Sequence, residues 1–413
     1  MSSSPAFEAS NLCEAFRHLD TVRKDPDDWQ PPQIFKLDSP VEEIRFEALL
    51  RAGKVTGFRA QTEPLANDLF TYLYPADKKN QDMRREFHQS VIEQGQTFGS
   101  YVFFPWSGEI VLYLDEEDHR GVRNYRDRDL RTRDQQRTLR EKTIACIGLS
   151  VGSKAARSMV QSGIGNHYVI GDGDTLDSSN LNRIDGTVRD VGASKVAILA
   201  RHISEVDPWI KQTHLPDGFH AGDERVLLKA GVDIIVEAVD DMSAKALLRL
   251  FAERRRIPLI MPADLHDKSM IDVERHDLRD KKRKLPFMGR ISRADTIRIS
   301  EFPISEAEKE SLMLAHTGAT NLSVRMMQSV MSRDAHLGGM PQKGATATRG
   351  GADVEFAAAE ILLGHDLPTG RYYDNPRDTF NLGPEHNLLT WIRTALAVKS
   401  YAESRRRANQ SNG

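Results

Sequence analysis

The stretch IACIGLSVGSKAARSMV, residues 144–160, passes from a continuous apolar run through a glycine-bounded turn into a helical pattern. Strand, tight turn and helix together form a geometry that three chemistries use. Gly148-Leu149-Ser150-Val151-Gly152 has the GxSxG form of a nucleophile elbow, with Ser150 at the nucleophile position. The same turn stands where a dinucleotide-binding GxGxxG would stand, with Ser150 replacing a glycine. Ser153-Lys154 after Gly152 hints at a phosphate loop, but the GxxxxGK[ST] spacing is absent.

The residues beyond the turn separate these readings. A second apolar run, HYVIGDGD (167–174), ends on Asp172 and Asp174. A carboxylate at the end of the second strand of a nucleotide-binding βαβ unit takes two hydrogen bonds from the ribose diol. A hydrolase elbow needs no such acid. TLDSSNLNR (175–183) then sets Asn180, Asn182 and Arg183 just past the carboxyl edge of the sheet, where open α/β sheets bind ligands. VGASKVAILARHISEVDPW (191–209) places Lys195 in the first turn of the next helix. A lysine opposes the helix dipole there, so the placement suits a site shared with an anion. Finally IIVEAVDDMSAKALLRL (234–250) runs from an apolar strand into Asp240-Asp241 and a helix. Asp241 fits a helix cap. Asp240 is the candidate Mg²⁺ ligand, holding a cation that bridges phosphates.

The strand-helix alternation extends around the turn. Strands are expected over 142–147, 167–172, 232–238, 257–261 and 270–276, with helices over 152–163, 193–206, 221–229 and 243–255. That rhythm predicts an α/β fold, a doubly wound, Rossmann-like and mostly parallel sheet. Residues 1–40 (with DPDDWQPPQ) read as an extended arm. Residues 41–139 read as an additional N-terminal α+β region. VEEIRFEALLRAG and DMRREFHQSVIEQG have helical spacing, and YVFFPWSGEIVLYL reads as a hairpin turning at Pro105–Gly108. Residues 140–413 form the third unit. Its later part holds a helical SEAEKESLMLAH, a Gly- and Met-rich HLGGMPQKGATATRGG, and VEFAAAEILLG, a helix ended by Gly364.

Taken in order, GLSVGS, GDGDTLDSSNLNR, the VGxxK helix start and EAVDD resemble the ubiquitin-activating-enzyme-like family, the ThiF/MoeB group of ATP-dependent adenylating enzymes. The likeness covers roughly residues 120–280, and SNLNR is its most specific part. PWSG and ERHDL resemble a bacterial branch with an extra N-terminal region. The resemblance implies that a substrate carboxylate attacks the α-phosphate of ATP, giving an acyl-adenylate and pyrophosphate. It implies that Asp174 holds the ribose, that Asn182, Arg183 and Lys195 meet the phosphates, and that Asp240 takes Mg²⁺. It also implies a homodimer whose partner supplies an arginine from just upstream of the first strand. Arg126 and Arg128, in NYRDRDLRTRDQQRTL, are the nearest matches, and a solvated basic helix is the plainer reading of that stretch. The expected substrate is a peptide or small protein with a free C-terminal carboxylate.

This sequence departs from the family pattern at the turn, which is shorter and carries Ser150. The paired cysteines of the family's zinc sites are missing, so no zinc is expected. With only Cys13 and Cys146 in 413 residues, a disulfide framework is ruled out too. Cys13 is not expected to form thioesters, and Cys146 reads as a core residue. The net charge of −3 gives no global attraction to nucleic acid or acidic lipid. A mean hydropathy of −0.50 and the lack of a long apolar run predict no membrane span. MSSSPAFEASN lacks the blocks of a signal peptide, so a cytoplasmic location is expected. Three other readings stay open on the residues alone: a nicotinamide-dependent oxidoreductase, a serine hydrolase using Ser150, and a nucleotide-binding scaffold docking through LRDKKRK or ESRRRAN.

Overall fold

The computed structural model describes residues 29–278, 286–318, 321–331, 337, 339–384 and 386–411. Cys13, most of LRDKKRK and the side chains of ESRRRAN lie outside the described residues.

Two sheets organise the chain. The first is built from β1 (Gln33–Phe35), α1 (Pro40–Arg51), β2 (Gly57–Ala60), α2 (Thr62–Leu73), α3 (Gln81–Gln94), β3 (Ser100–Phe104) and β4 (Glu109–Tyr113). Its strand order is β1-β3-β4-β2. The β3–β4 hairpin turns where Pro105–Gly108 requires. Residues 1–28 of the expected arm lie outside the described residues; within the rest, Gln33–Phe35 is a paired strand, with Phe35 buried against Leu49, Phe103 and Ile110. A three-residue strand between proline-rich flanks carries too short a pattern to be recognised.

The basic stretch after the hairpin is two short helices, α4 (Glu116–Arg123) and α5 (Arg133–Arg140), joined by turns. Thr132 and Gln135 form a capping box at the start of α5. Arg123 pairs with Asp207 at 3.1 Å, and the Trp106 indole donates to Glu205 at 2.9 Å. These contacts hold the first sheet's surroundings against the helix that ends at Val206.

The second sheet has seven strands. In chain order its elements are β5 (Thr143–Ile147), α6 (Val151–Gln161), β6 (His167–Gly171), α7 (Lys195–Val206), β7 (Lys211–Leu215), α8 (Glu224–Ala230), β8 (Ile234–Glu237), α9 (Met242–Arg255), β9 (Leu259–Leu265) and β10 (Lys268–Glu274). Then come α10 (Arg293–Glu301), α11 (Glu306–Thr317), α12 (Val324–Met331), α13 (Gly344–Leu362) and β11 (Gly370–Asp374). The order is β11-β10-β9-β8-β5-β6-β7. The five strands from β9 to β7 are parallel. β10 and β11 run antiparallel at one end. The expected doubly wound α/β sheet is present, with two differences. KQTHL (211–215) is a strand that the pattern did not announce, and 268–274 returns as a hairpin arm rather than as a parallel strand.

β5 is buried at every residue, as a central parallel strand must be. The core on one face joins Ile144, Cys146, Met159, Val160, Ile170 and Val354. Gly148 ends β5 with φ +88°. A Cβ there would lie 2.4 Å from the Ala238 carbonyl carbon and 2.5 Å from Val239 N. Only glycine fits both the left-handed backbone and the packing of the β8 loop on the turn. Gly148→Ala is expected to cost about 2–3 kcal/mol. Chemical denaturation of the two proteins checks this; a loss under about 0.5 kcal/mol would show that the loop yields easily.

Candidate active site

The ends of β5, β6 and β8 lie side by side at the carboxyl edge of the sheet, and the predicted residues collect there. Ser150 precedes α6 with φ −75° and caps no backbone group of that helix through its side chain. Its hydroxyl oxygen accepts from Arg183 Nε at 3.1 Å. Its hydroxyl also points its donor at Gln342 Oε1 at 3.5 Å, so the groups at Ser150 are a guanidinium and an amide rather than the imidazole of a nucleophile triad. Ser153 donates its hydroxyl to the Ser150 carbonyl at 2.8 Å, which tightens the first turn of α6.

Asp172 and Asp174 have different surroundings. Asp172 is half-buried, and its carboxylate accepts from Leu149 N at 2.6 Å and from Asp174 N at 2.9 Å. It is the acid tied to the glycine turn. Burial raises its carboxyl above the usual range, against the pull of Lys195 and the two amides. Asp174 is largely exposed and accepts from Lys195 Nζ at 2.6 Å. Lys195 is only 7% exposed and also lies 3.7 Å from Asp172. The lysine at the start of α7 therefore answers two carboxylates, which offsets its conflict with the helix dipole.

DSSNLNR forms a short 3₁₀ turn over Ser178–Asn182. Asp177 and Asn180 close a capping box there, and Asn180 is buried. Asn180 thereby shapes the turn, while Asn182 and Arg183 project from it. Arg183 Nη1 donates to Asn182 Oδ1 at 2.9 Å and to the Ser179 carbonyl at 3.2 Å. Burial lowers the guanidinium's proton affinity, and Asp264 opposes that effect.

Asp241 is the cap of α9, accepting from Ala244 N at 2.7 Å. Asp240 is exposed, two residues beyond the Ala238 that packs on Gly148 and Gly152. A single exposed carboxylate beside a glycine turn is a geometry open to Mg²⁺, which keeps several waters and takes few protein ligands.

Arg126 and Arg128 stand apart from this group. Both lie near the Tyr125 ring, at 6.0 and 5.9 Å. Their neighbour Asn124 touches Gly163, beyond the carboxyl end of α6. The glycine turn is at the opposite end of that helix. Residues 124–130 are turn, so the helix expected for this stretch is found only from Arg133 onward.

Several residues join the site that sequence reading did not select. Asn182 Nδ2 donates to the Gln342 carbonyl at 3.2 Å, and a Cβ on Gly344 would lie 2.1 Å from the Asn182 carbonyl oxygen. The QKGATATRGG stretch thus covers the SNLNR turn. Its only signal in the sequence is a run of small residues. Asp264, near the end of β9, bears electrostatically on Arg183 and gave no signal at all.

Residues 123–269 match the ThiF family model. "Uncharacterized protein MT1398" of Mycobacterium tuberculosis (strain CDC 1551 / Oshkosh) is 30% identical over 271 residues, covering 66% of this chain and 37% of that protein. A tRNA threonylcarbamoyladenosine dehydratase of Escherichia coli (strain K12) is 30% identical over 119 residues, covering 28% of this chain and 44% of that protein. The chain therefore spans less than half the length of these two curated relatives. A crystal structure of the E. coli dehydratase TcdA aligns with a TM-score of 0.40 at 17% identity, over 58% of this chain and 94% of that one. The glycine turn, the SNLNR turn, Lys195 and Asp240 all fall within the residues that match the ThiF family model.

Proposed function

We propose that this protein adenylates a carboxylate with ATP and Mg²⁺, releasing pyrophosphate. The observation that carries the reading is the convergence of Ser150, Asn182, Arg183 and Lys195 on one glycine turn, with Asp240 on the adjoining loop. In-line attack on the α-phosphate accumulates negative charge, and fixed cations stabilise it without reorganising. Arg183 and Asn182 are the groups for the phosphates. Lys195 is held by Asp172 and Asp174 and turns toward a nucleotide that engages those acids through its ribose. Mg²⁺, when bound, neutralises phosphate charge, with Asp240 as its protein ligand. Among the described residues no three His, Cys, Asp or Glu side chains stand together as a metal site, so the phosphates supply the remaining ligands.

The substrate is proposed to be the C-terminus of a peptide or small protein. Two copies of the chain would let Arg126 or Arg128 reach the site from a partner, since neither reaches it within one chain. Among the described residues no helix is long and apolar enough to cross a membrane.

Calorimetric titration with ATP in the presence and absence of Mg²⁺ tests the reading. Binding is expected to require Mg²⁺ and to weaken about tenfold or more in Asp240→Asn. NADH binding in place of ATP would overturn it and favour an oxidoreductase. Tight ATP binding without pyrophosphate exchange for any carboxylate would leave a scaffold.

A further inference from the structure

Asp264 presents a buried carboxylate that this protein does not satisfy. It is 8% exposed, on β9 one residue before the strand ends. Neither carboxylate oxygen has a hydrogen-bond donor among the described residues. Two guanidiniums bear on it electrostatically, Arg183 and Arg349, yet neither donates a hydrogen bond to it. Arg183 donates to Ser150, Ser179 and Asn182. Arg349 Nη2 donates to the Asp267 carbonyl at 2.7 Å and, weakly, to Thr346 Oγ1, while its Nε makes no hydrogen bond and lies 3.5 Å from Asp374 Oδ2.

Strand register and helix packing define the other walls. Ser269 stands opposite Asp264 in the β9–β10 ladder, so the two side chains share a face. Ser269 also neighbours Asp353 of α13. A Cβ on Gly350 would lie 3.2 Å from Ser269 Oγ and 3.8 Å from Val151, the first residue of α6. The carboxylate therefore lies at the carboxyl edge of the sheet, under α13 and close to the start of the nucleotide turn. Burial pushes its carboxyl up to about 7. An unsatisfied buried acceptor destabilises a fold. A ligand that supplies the donor turns that cost into specificity, because an analogue lacking the donor leaves the acceptor bare.

We propose that Asp264 is the specificity-determining acceptor for a protonated amine that the substrate carries close to its reacting carboxylate. The inference rests on the adenylation reading for the carboxylate, and on Asp264's own geometry for the amine. The arrangement favours such a group. Arg183 and Arg349 attract the carboxylate, while Asp264, with Asp353 beyond Ser269, attracts an N–H cation. An all-anionic substrate would meet repulsion at Asp264. The substrate class is then a carboxylate with an ammonium nearby, such as an amino acid or a peptide end bearing a basic side chain.

The test uses the full chain at pH 8 and thermal unfolding. Methylammonium chloride at about 100 mM is expected to raise Tm by about 1 °C above tetramethylammonium chloride at equal ionic strength, because only the former has N–H donors. Asp264→Asn is expected to abolish that difference and to raise the salt-free Tm by about 1–3 °C, since it removes an unsatisfied charge. Equal response to the two salts in the wild type overturns the proposal without needing any variant. A lowered Tm in Asp264→Asn overturns it too, by making Asp264 a structural residue. Binding of Mg²⁺-ATP to the wild type is measured separately: its absence sinks the adenylation reading, whereas the salt comparison judges Asp264.

Discussion

Arg183→Ala is expected to reduce ATP–pyrophosphate exchange by about 10²–10³-fold, with unfolding temperature changed by no more than a few degrees. The magnitude is that of removing one preorganised donor aimed at developing charge. The separation from stability follows from the geometry. Arg183 is half-buried at the end of an irregular turn, and its partners are a hydroxyl, a carbonyl and an amide oxygen rather than a carboxylate. A fixed guanidinium without a hydrogen-bonded counter-ion is poised for an incoming anion. Asp264 bears on it as an opposing charge, and it makes no hydrogen bond to Arg183. Arg183→Lys is expected to recover less than a tenth of the activity. It keeps the charge but loses the planar fork that holds Ser150 and Asn182 at the same time. Exchange within threefold of wild type in the alanine variant would remove Arg183 from the phosphate site. Rescue of Arg183→Ala by added guanidinium, with no rescue by methylammonium, would confirm that the missing element is a planar donor set.

The candidate site was legible in the sequence where its parts are local. Asn182 and Arg183 sit on one turn closed by Asp177 and Asn180, all within seven residues. Asp241 was legible as a cap because its partner, Ala244 N, is three residues away. The strands β5, β6 and β8 were legible because they are buried on both faces and read as unbroken apolar runs. β7 was not. KQTHL lies at the sheet's edge, half exposed, and an edge strand carries no such run. The reversal at β10 was hidden by misplaced strand ends. Only His266 and Asp267 separate β9 from β10, and two residues permit a hairpin but not a crossover. Asp264, Gln342 and Arg349 lie 80 or more residues from the SNLNR turn, so no spacing in the sequence connects them to it. Arg249 is hidden for a related reason. In ALLRLFAERR it looks like one more solvated arginine, yet it is fully buried, because its partners come from two strands.

That buried arginine belongs to the group whose disruption should cost most. Glu237, the last residue of β8, is fully buried and accepts from Lys245 Nζ at 2.8 Å, Val239 N at 3.0 Å and Arg249 Nη1 at 2.5 Å. Arg249 also donates to Glu274 Oε1 at 2.8 Å and stacks 4.2 Å from the Phe287 ring centroid. Burial alone would raise the Glu237 carboxyl, but Lys245 and Arg249 outweigh it and hold the group below its ordinary value. The cluster is balanced, with Glu237 and Glu274 against Lys245 and Arg249. Glu237→Gln keeps the shape and removes one negative charge, leaving a buried cation uncompensated. Breaking such a pair costs about 3–5 kcal/mol, or roughly 3–6 °C in Tm for a chain of this size. Adding Lys245→Met restores the balance and is expected to recover at least half of the loss, since charge-free packing of similar volume is tolerated. Independent, additive losses in the double variant would mean that the two groups do not act on each other. The same carboxylate holds Val239 N, and Ala238 packs against Gly148, so the cluster fixes the loop that carries Asp240. Glu237→Ala, which removes the acceptor as well as the charge, is therefore expected to weaken Mg²⁺-ATP binding beyond its loss of stability when Lys245→Met accompanies it. Unchanged affinity in that stabilised background would show that the loop keeps its position without the Glu237 anchor.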